Sequence, residues 1–468
     1  MTNKVDTIIH DGIVAFSSTS YKTDIAIKDD KIIAIGDQNT LPAANKYIDA
    51  SGKYVLPGLI DCHVHVRDTG DDWGVTTKAA ALAGLTTIIP FGDYHASEKE
   101  TLPQAINRWK EEAQKEAVTD YSFHYILSNT PYIIDSLSEA INMGVTSYKM
   151  FMTYDHRVSD SFIAKVMEVV GANGGVVQLH AENGDVIEHL MNKAITEGRT
   201  KPSDFPDTCP PWAEAEAINR GILLGAMTDC PLYIVHLSTK LGLNRIKQAQ
   251  QQGQRVWTET CPQYLLLDET AMERLGPFAK IGPPLRSADG VNQDAMWQGI
   301  VNGYISTIGS DHSPAPTPMK EFGWDNIFRS PKGDAIPFGA PSIETIVPLV
   351  YSEGVVKRNL PLWWMARVMS ENPARIFGLY PKKGIIQPGS DADLLIIDPD
   401  ANINIQAQNH QSTTGYTPYE NWKVNGRPWM TILRGKILLN DGKLEQQPGA
   451  GEFIFARNPV SPVAGQGK

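Results

Sequence analysis

The sequence predicts an α/β fold in which a (β/α)₈ barrel, the TIM-barrel architecture, carries a small β-sandwich domain. Three observations predict it. Eight short apolar segments alternate with amphipathic stretches of helical length between residues 57 and 385. Short alternating strands with Asp-Gly and Gly turns precede this region, and similar strands return after it. At 468 residues the chain exceeds what one hydrophobic core supports, so more than one domain is expected.

The eight candidate barrel strands share a buried, apolar composition. They lie near residues 58–66, 86–91, 121–127, 146–151, 175–180, 232–237, 255–260 and 305–312. Stretches such as LPQAINRWKEEAQKEA and AEAEAINRGILLGAM supply helices between them. This count and alternation favour eight parallel strands closed into a barrel.

The two flanking β segments are expected to pair into one domain. The predicted boundaries give residues 1–56 and 386–445 to the β-sandwich and residues 57–385 to the barrel. Residues 446–468 remain as an extended tail, too polar and too rich in glycine and proline to build a core. We therefore expect the tail to lie on a neighbouring subunit.

Charge and composition narrow the class of partner. The formal net charge is −11 and no block of lysines or arginines stands out, which argues against nucleic acid or an anionic membrane. The N-terminus lacks the pattern of a signal peptide, and no apolar run approaches the roughly 20 residues that span a bilayer. We expect a cytoplasmic protein that acts on a small molecule. Four cysteines show no metal-binding spacing and are expected to be reduced: Cys62, Cys209, Cys230 and Cys261.

Six ligand-type side chains fall at predicted strand ends, where a barrel keeps its active site. They are His63, His65, Lys149, His180, His236 and Asp311. His63 and His65 lie two apart on one strand, so both imidazoles can reach one ion, whereas Cys62 should point away from them. Any single histidine could be an ordinary core or surface residue. Four histidines and an aspartate ending barrel strands would, however, make an unusual core.

Lys149 fits a metal site only if its charge is removed, because an ammonium would be repelled by the cation. Carboxylation by CO₂ would turn the amine into a carbamate whose two oxygens can bridge two divalent ions. Residue type alone leaves a salt-bridged structural lysine open as the alternative.

Nine segments together carry a resemblance to a known family. They are PGLIDCHVH, TSYKMFMTY, QLHAENGDVI, PLYIVHLS, ETCPQYLLLD, GPPLRS, GSDHSP, ENPARIFGLYPKKG and GSDADLLIIDPD. Their order and spacing resemble the D-hydantoinase and dihydropyrimidinase family of the amidohydrolase superfamily, over essentially the whole chain. The resemblance implies a metal-dependent hydrolase that opens a cyclic amide ring and assembles as a homotetramer or homodimer.

The same resemblance implies a site with two divalent metal ions per subunit, with Zn²⁺ as the usual occupant. The implied ligands are His63, His65 and Asp311 for the more buried ion, His180 and His236 for the second, and a carboxylated Lys149 bridging both. Manganese, cobalt or iron could also occupy such a ligand set. A hydroxide bridging the ions would attack the ring carbonyl, and Asp311 would move its proton to the departing ring nitrogen.

The resemblance also suggests substrate contacts. Tyr154 matches the family tyrosine that donates a hydrogen bond to the developing oxyanion, although an ordinary loop tyrosine is the alternative. The family holds the ring amide through backbone groups at a serine before PPLR and an asparagine in PNG, and this chain has Gly282 and Phe338 there. Backbone contacts can survive such changes, but Phe338 could narrow or line the substrate cleft.

Other activities stay open at this point. HVHVR resembles the HxHxR of dihydroorotases, in which the arginine binds a substrate carboxylate, so Arg67 is a candidate substrate-binding residue. An ion pair with Asp68 or Asp71 is its alternative role. The HVHVRDTG and GSDHSP segments also resemble allantoinases, which makes allantoinase the second candidate activity and dihydroorotase the third. A non-catalytic dihydropyrimidinase-related scaffold is disfavoured because all six ligand positions are filled.

Overall fold

The N-terminal part of the chain folds into strands of two different sheets. The structure is a computed structural model that describes residues 4–67 and 70–463. Its first strands are β1 Val5–His10, β2 Ile13–Ala15, β3 Ser20–Lys22, β4 Asp24–Lys28, β5 Lys31–Gly36, β6 Ala44–Asp49 and β7 Tyr54–Pro57. One sheet has the order β5-β4-β1-β6. Because β2, β3 and β7 belong to another sheet, the N-terminal segment is not a self-contained unit.

The middle of the chain forms a parallel barrel. Its strands are β8 Leu59–Val64, β9 Leu85–Gly92, β10 Asp120–Tyr121, β11 His124–Ile126, β12 Ser147–Phe151, β13 Val176–His180, β14 Leu232–Ile234, β15 Val256–Thr260 and β16 Thr307–Ile308. Strands β10 and β11 are two pieces of the third predicted strand. The barrel closes where Val64 pairs in parallel with His312, and the His65 amide donates to the His312 carbonyl at 2.8 Å. The predicted α/β barrel is therefore confirmed.

Helices cover the outside of the barrel. In chain order they begin with α1 Trp73–Ala83, α2 Leu102–Glu116, α3 Leu137–Asn142, α4 Asp160–Ala172, α5 Gly184–Thr196, α6 Pro211–Thr228 and α7 Lys240–Gln251. They continue with α8 Pro262–Leu266, α9 Ala271–Leu275, α10 Val291–Val301, α11 Thr317–Glu321, α12 Ile346–Val350, α13 Leu362–Ala366 and α14 Asn372–Ile376.

Several helices begin just past a strand end, at a side chain that caps the first turn. Asn183 accepts a hydrogen bond from the Val186 amide at the start of α5, and Thr239 accepts one from the Gly242 amide at the start of α7. Within the described residues, no helix is both long and apolar enough to cross a lipid bilayer.

The second flanking sheet joins both ends of the chain. The C-terminal strands are β17 Leu394–Asn404, β18 Lys423–Leu433, β19 Lys436–Asn440 and β20 Lys443–Leu444. The sheet has the order β20-β19-β18-β17-β7-β2-β3, with Leu395 of β17 paired antiparallel to Leu56 of β7. Apolar side chains such as Ile25 and Ile396 pack in one core between the two sheets. The N- and C-terminal segments thus form one β-sandwich, while its boundaries at residues 56 and 386 stay a prediction.

The C-terminal tail lies on the chain's own barrel, so its predicted place on a neighbouring subunit is wrong for residues 446–463. The Tyr121 amide donates to the Glu452 carbonyl at 3.0 Å, and the Ile454 amide donates to the Tyr121 carbonyl at 2.7 Å. Ile454 is buried in a cluster with Phe377. The tail thus packs at the edge of a core that other segments of the chain form. Its amino-acid composition does not indicate these contacts. Residues 464–468 lie outside the described part.

A buried ion-pair cluster links barrel, β-sandwich and tail. The Lys383 ammonium is 1% exposed and lies 2.5 Å from Asp120, 2.8 Å from Asp391 and 2.7 Å from Asp393. Asp120 is the first residue of the barrel strand β10, and its Oδ1 also accepts a hydrogen bond from the Glu452 amide of the tail at 2.9 Å. Lys383 therefore links carboxylates from different parts of the fold.

Replacing Lys383 by methionine should destabilise the protein by about 3–5 kcal/mol, because it leaves the three carboxylates buried without their common cation. The free energy of unfolding in urea measures this loss. Lys382→Met is the matched control at an exposed neighbour, and it should change stability by less than about 0.5 kcal/mol. Equal stability of the two variants would contradict this account of the cluster.

Candidate active site

The six predicted ligand-type side chains meet at the carboxyl ends of the barrel strands. Nε2 of His63 lies 3.0 Å from Oδ1 of Asp311 and 3.1 Å from Nζ of Lys149. Nε2 of His65 lies 3.9 Å from the same Asp311 oxygen. The ring centroid of His236 lies 5.4 Å from that of His63, which joins the first group to the second pair of histidines.

The second pair of histidines is also in contact. The ring centroids of His180 and His236 lie 4.3 Å apart. Nε2 of His180 is 2.8 Å from Oε2 of Glu182, a buried carboxylate two residues along the chain. Nδ1 of His236 is buried and has no hydrogen-bond partner among the described residues. An unpartnered imidazole nitrogen in a buried site is a donor atom available to a metal ion.

Three donor atoms lie close together, and the side chains of His180, His236 and Asp311 are in protonation states that bind cations. One ligand atom each from His63, His65 and Asp311 falls within 4.8 Å of the other two. Burial lowers the pKa of His180 and, further, that of His236, so both imidazoles are neutral, the form that binds metals. Burial acts to raise the pKa of Asp311, but the neighbouring histidines outweigh it and hold that pKa below its ordinary value. The aspartate is therefore ionised at neutral pH.

Three site residues adopt strained backbone conformations. The φ angles are 38° at His236, 52° at Asp311 and 65° at Tyr154, all in the left-handed region that side chains with a Cβ rarely occupy. Such conformations cost about 1–3 kcal/mol each and persist only where the surrounding fold imposes them. The fold thus aims these side chains into the site at some expense in stability.

Glu259, near the carboxyl end of β15, holds two of the clustered histidines in place. Glu259 was not among the site residues predicted from the sequence. Its Oε1 bonds to Nδ1 of His63 and accepts from the His236 amide at 3.1 Å. Its Oε2 accepts from the Tyr233 hydroxyl at 2.8 Å. A carboxylate on one imidazole nitrogen fixes the ring so that the other nitrogen faces the site. The sequence feature that could have identified Glu259 is a charged residue within the otherwise uncharged strand segment VWTET.

Cys62 does not point away from the site as strict strand alternation predicts. Its thiol donates to Oε2 of Glu259 over 3.6 Å, so Cys62 and His63 contact the same carboxylate. The pairing of β8 with β9 shifts register between Asp61 and Val64. Such an irregularity breaks the two-residue alternation on which the prediction depended.

A cavity of about 550 Å³ opens beside the cluster, within the size range of small-molecule sites. His65, Lys149, His180, His236 and Asp311 line one part of it. Much of the remaining wall is apolar and includes Phe151, Ile187, Met191, Phe205, Phe328 and Phe338. The cavity therefore offers polar chemistry at one end and apolar packing for a ligand at the other.

Three predicted substrate-contact residues touch one another in the cavity wall. A Cβ atom added to Gly282 would lie 2.0 Å from the Tyr154 hydroxyl and 3.1 Å from Cδ1 of Phe338. The rings of Tyr154 and Phe338 are 4.8 Å apart, and Tyr154 is 5.0 Å from the ring of His180. Glycine at position 282 lets the Tyr154 hydroxyl approach this closely, and a side chain there would require that hydroxyl to shift.

Arg67 does not line the described cavity, so its predicted role in substrate binding is not supported. Its guanidinium pairs with Glu112 and lies 6.0 Å from the ring centroid of Trp109. The predicted alternative, an ion pair, is present but with a different partner. Asp71 instead accepts hydrogen bonds from Thr413, and Asp68 lies outside the described residues.

Comparison with known proteins agrees with this fold and identifies the family. The sequence profile of the Amidohydrolase family matches residues 54–438. D-hydantoinase of Geobacillus stearothermophilus is 36% identical over 461 residues, 96% of each chain, and L-hydantoinase of Paenarthrobacter aurescens is 33% identical over 97% of this chain and 98% of its own. The crystal structure of dihydropyrimidinase from Brevibacillus agri superposes with a TM-score of 0.91 at 36% identity, covering 97% of this chain and 100% of that one. This chain belongs to the amidohydrolase family.

Proposed function

We propose that this protein is a hydrolase that opens the ring of a cyclic amide of the hydantoin or dihydropyrimidine type. The observation that carries the proposal is the six-residue cluster at the strand ends, lying beside a cavity of about 550 Å³. The names of the similar proteins, hydantoinases and a dihydropyrimidinase, support the same class of substrate.

The donor set fits two divalent metal ions. His63, His65 and Asp311 would hold one ion, and His180 and His236 would hold the other. A carboxylated Lys149 would bridge both, since its amine already lies 3.1 Å from Nε2 of His63. When bound, such ions lower the pKa of a water molecule and polarise a carbonyl group. Zinc suits this mixture of nitrogen and oxygen donors.

The chain's own residues supply proton transfer and charge stabilisation. Asp311 is ionised and lines the cavity, so it can accept the proton of the attacking water and pass it to the departing ring nitrogen. Burial raises the pKa of Tyr154 well above its ordinary value, which keeps the hydroxyl protonated as a hydrogen-bond donor. A donor aimed at the carbonyl oxygen stabilises the charge that develops there.

Two observations bear on the alternative activities. Dihydroorotase was favoured by Arg67, whose side chain pairs with Glu112 outside the cavity lining. Allantoinase remains the second candidate, but the polar ureido arm of allantoin matches the aromatic wall at Phe205 and Phe338 less well than an arm with an apolar part.

Metal removal and reconstitution test the proposed function. We expect the chelator-treated protein to regain about two zinc ions per subunit and to open hydantoin and dihydrouracil. It should do so only when bicarbonate is supplied, because Lys149 must first be carboxylated. Elemental analysis and ring-opening assays on the same preparation measure both properties. If the reconstituted protein takes up no metal and opens neither ring, the result would contradict the proposal and favour a non-catalytic scaffold.

Glu259→Gln should weaken metal binding by about 10- to 100-fold, because the amide cannot hold the His63 imidazole as a carboxylate does. Competition with a chromogenic chelator measures the affinity independently of turnover. Glu112→Gln makes the same chemical change at the Arg67 ion pair outside the cavity, and its metal affinity should match the wild type. Indistinguishable metal affinities for the two variants would show that Glu259 does not support metal binding.

Tyr154→Phe should lower kcat by about 10²–10³, the typical cost of losing one donor to the developing oxyanion. The metal content should stay that of the wild type, because Tyr154 is not among the proposed ligands. Steady-state kinetics with hydantoin measure kcat, and elemental analysis measures the metal content. A loss of metal in this variant would instead indicate that Tyr154 shapes the ligand cluster.

A further inference from the structure

A buried lysine faces the apolar part of the cavity. Lys280 lies two residues before Gly282, is 2% exposed, and lines the cavity. Its ammonium donates to the Ile336 carbonyl at 2.7 Å and lies 4.3 Å from the ring centroid of Phe338. Among the described residues, no carboxylate lies within ion-pair distance of this ammonium. A lysine ammonium has three N–H donors, and one of them is used by the Ile336 carbonyl.

A second cation lies on the same side of the cavity. Arg329 lines the wall, and its charge acts on Lys280. No carboxylate among the residues described pairs with its guanidinium. Arg157, by contrast, also lines the cavity but is paired with Asp185 at 3.1 Å and Glu188 at 2.8 Å. The cavity therefore has two cations that lack an anionic partner within the described chain.

A buried cation without an anion is costly, so a partner from outside the chain is the natural complement. Burial lowers the pKa of Lys280 to about 7, so near neutral pH the amine is charged in about half of the molecules, and a bound carboxylate would favour the charged form. The hydrogen bond from the Lys280 ammonium to the Ile336 carbonyl does not neutralise the charge, because a carbonyl oxygen is a neutral acceptor.

We propose that the cavity selects cyclic amides whose ring substituent ends in a carboxylate, which Lys280 and Arg329 bind. The inference rests on the proposed function and adds the class of substituent. Successive ring contacts lead from His180 to Tyr154 at 5.0 Å and on to Phe338 at 4.8 Å, beside the Lys280 ammonium. A ring held at the metal ligands would extend its arm along this path. The Phe205 and Phe338 side chains would contact the apolar part of that arm.

The test compares hydantoin-5-propionate with its neutral amide and with unsubstituted hydantoin, using the zinc-loaded enzyme. We expect kcat/KM for the carboxylate to exceed that for the amide by about 10-fold or more, as charge-assisted hydrogen bonds provide. Lys280→Met should bring this ratio close to one, and Arg329→Gln should lower it. Lys332→Met removes an exposed lysine nearby and should leave the ratio unchanged.

An inhibition experiment on the wild type keeps the inference testable even if the variants do not fold. 3-Phenylpropionate should inhibit hydantoin opening more strongly than 3-phenylpropionamide by a similar factor. Equal kcat/KM values for carboxylate and amide, with hydantoin still opened, would overturn this inference alone. Failure to open any of the three rings would overturn the proposed function and this inference with it.

Discussion

The structure depends on one electrostatic constraint, the concentration of ligand-type side chains in a buried space at the barrel's carboxyl end. Four imidazoles, an aspartate and a lysine lie close to one another in a largely buried space, where water can solvate them only from the cavity. Burying such groups is unfavourable unless each finds a partner. The buried and unpartnered Nδ1 of His236, within the described chain, indicates that the protein alone does not complete the set. Divalent cations would supply the missing partners and make the cluster stable.

Other features of the fold serve that cluster. Glu259 orients His63 and accepts the His236 amide, and the left-handed backbone at His236 and Asp311 aims their side chains inward. The remote Lys383 cluster ties the barrel to the β-sandwich and tail. The rim is set separately: Gly282 leaves room for Tyr154 and Phe338, and Phe338 in turn lies under the Lys280 ammonium. The ligand-type side chains and the Gly282, Tyr154 and Phe338 contacts thus occupy different parts of the cavity wall.

The barrel and the six clustered residues could be predicted because both follow from local patterns. Apolar segments of strand length repeat with helices between them, and polar residues such as His180 and Asp311 stand at their ends. What could not be predicted depends on contacts between distant positions. Arg67 meets Glu112 and the tail meets Tyr121 across long stretches of chain. Cys62 was misplaced because a register shift in β8 interrupts the alternation of faces, and no local pattern marks such a shift.

The most direct test of the central claim is anomalous diffraction at the zinc edge from crystals of the protein reconstituted with zinc and bicarbonate. We expect two peaks about 3.5–4 Å apart, one beside His63, His65 and Asp311 and the other beside His180 and His236. Extra electron density should join Nζ of Lys149 to both. A single peak or none, with an unmodified Lys149 ammonium beside His63, would contradict a site with two metal ions.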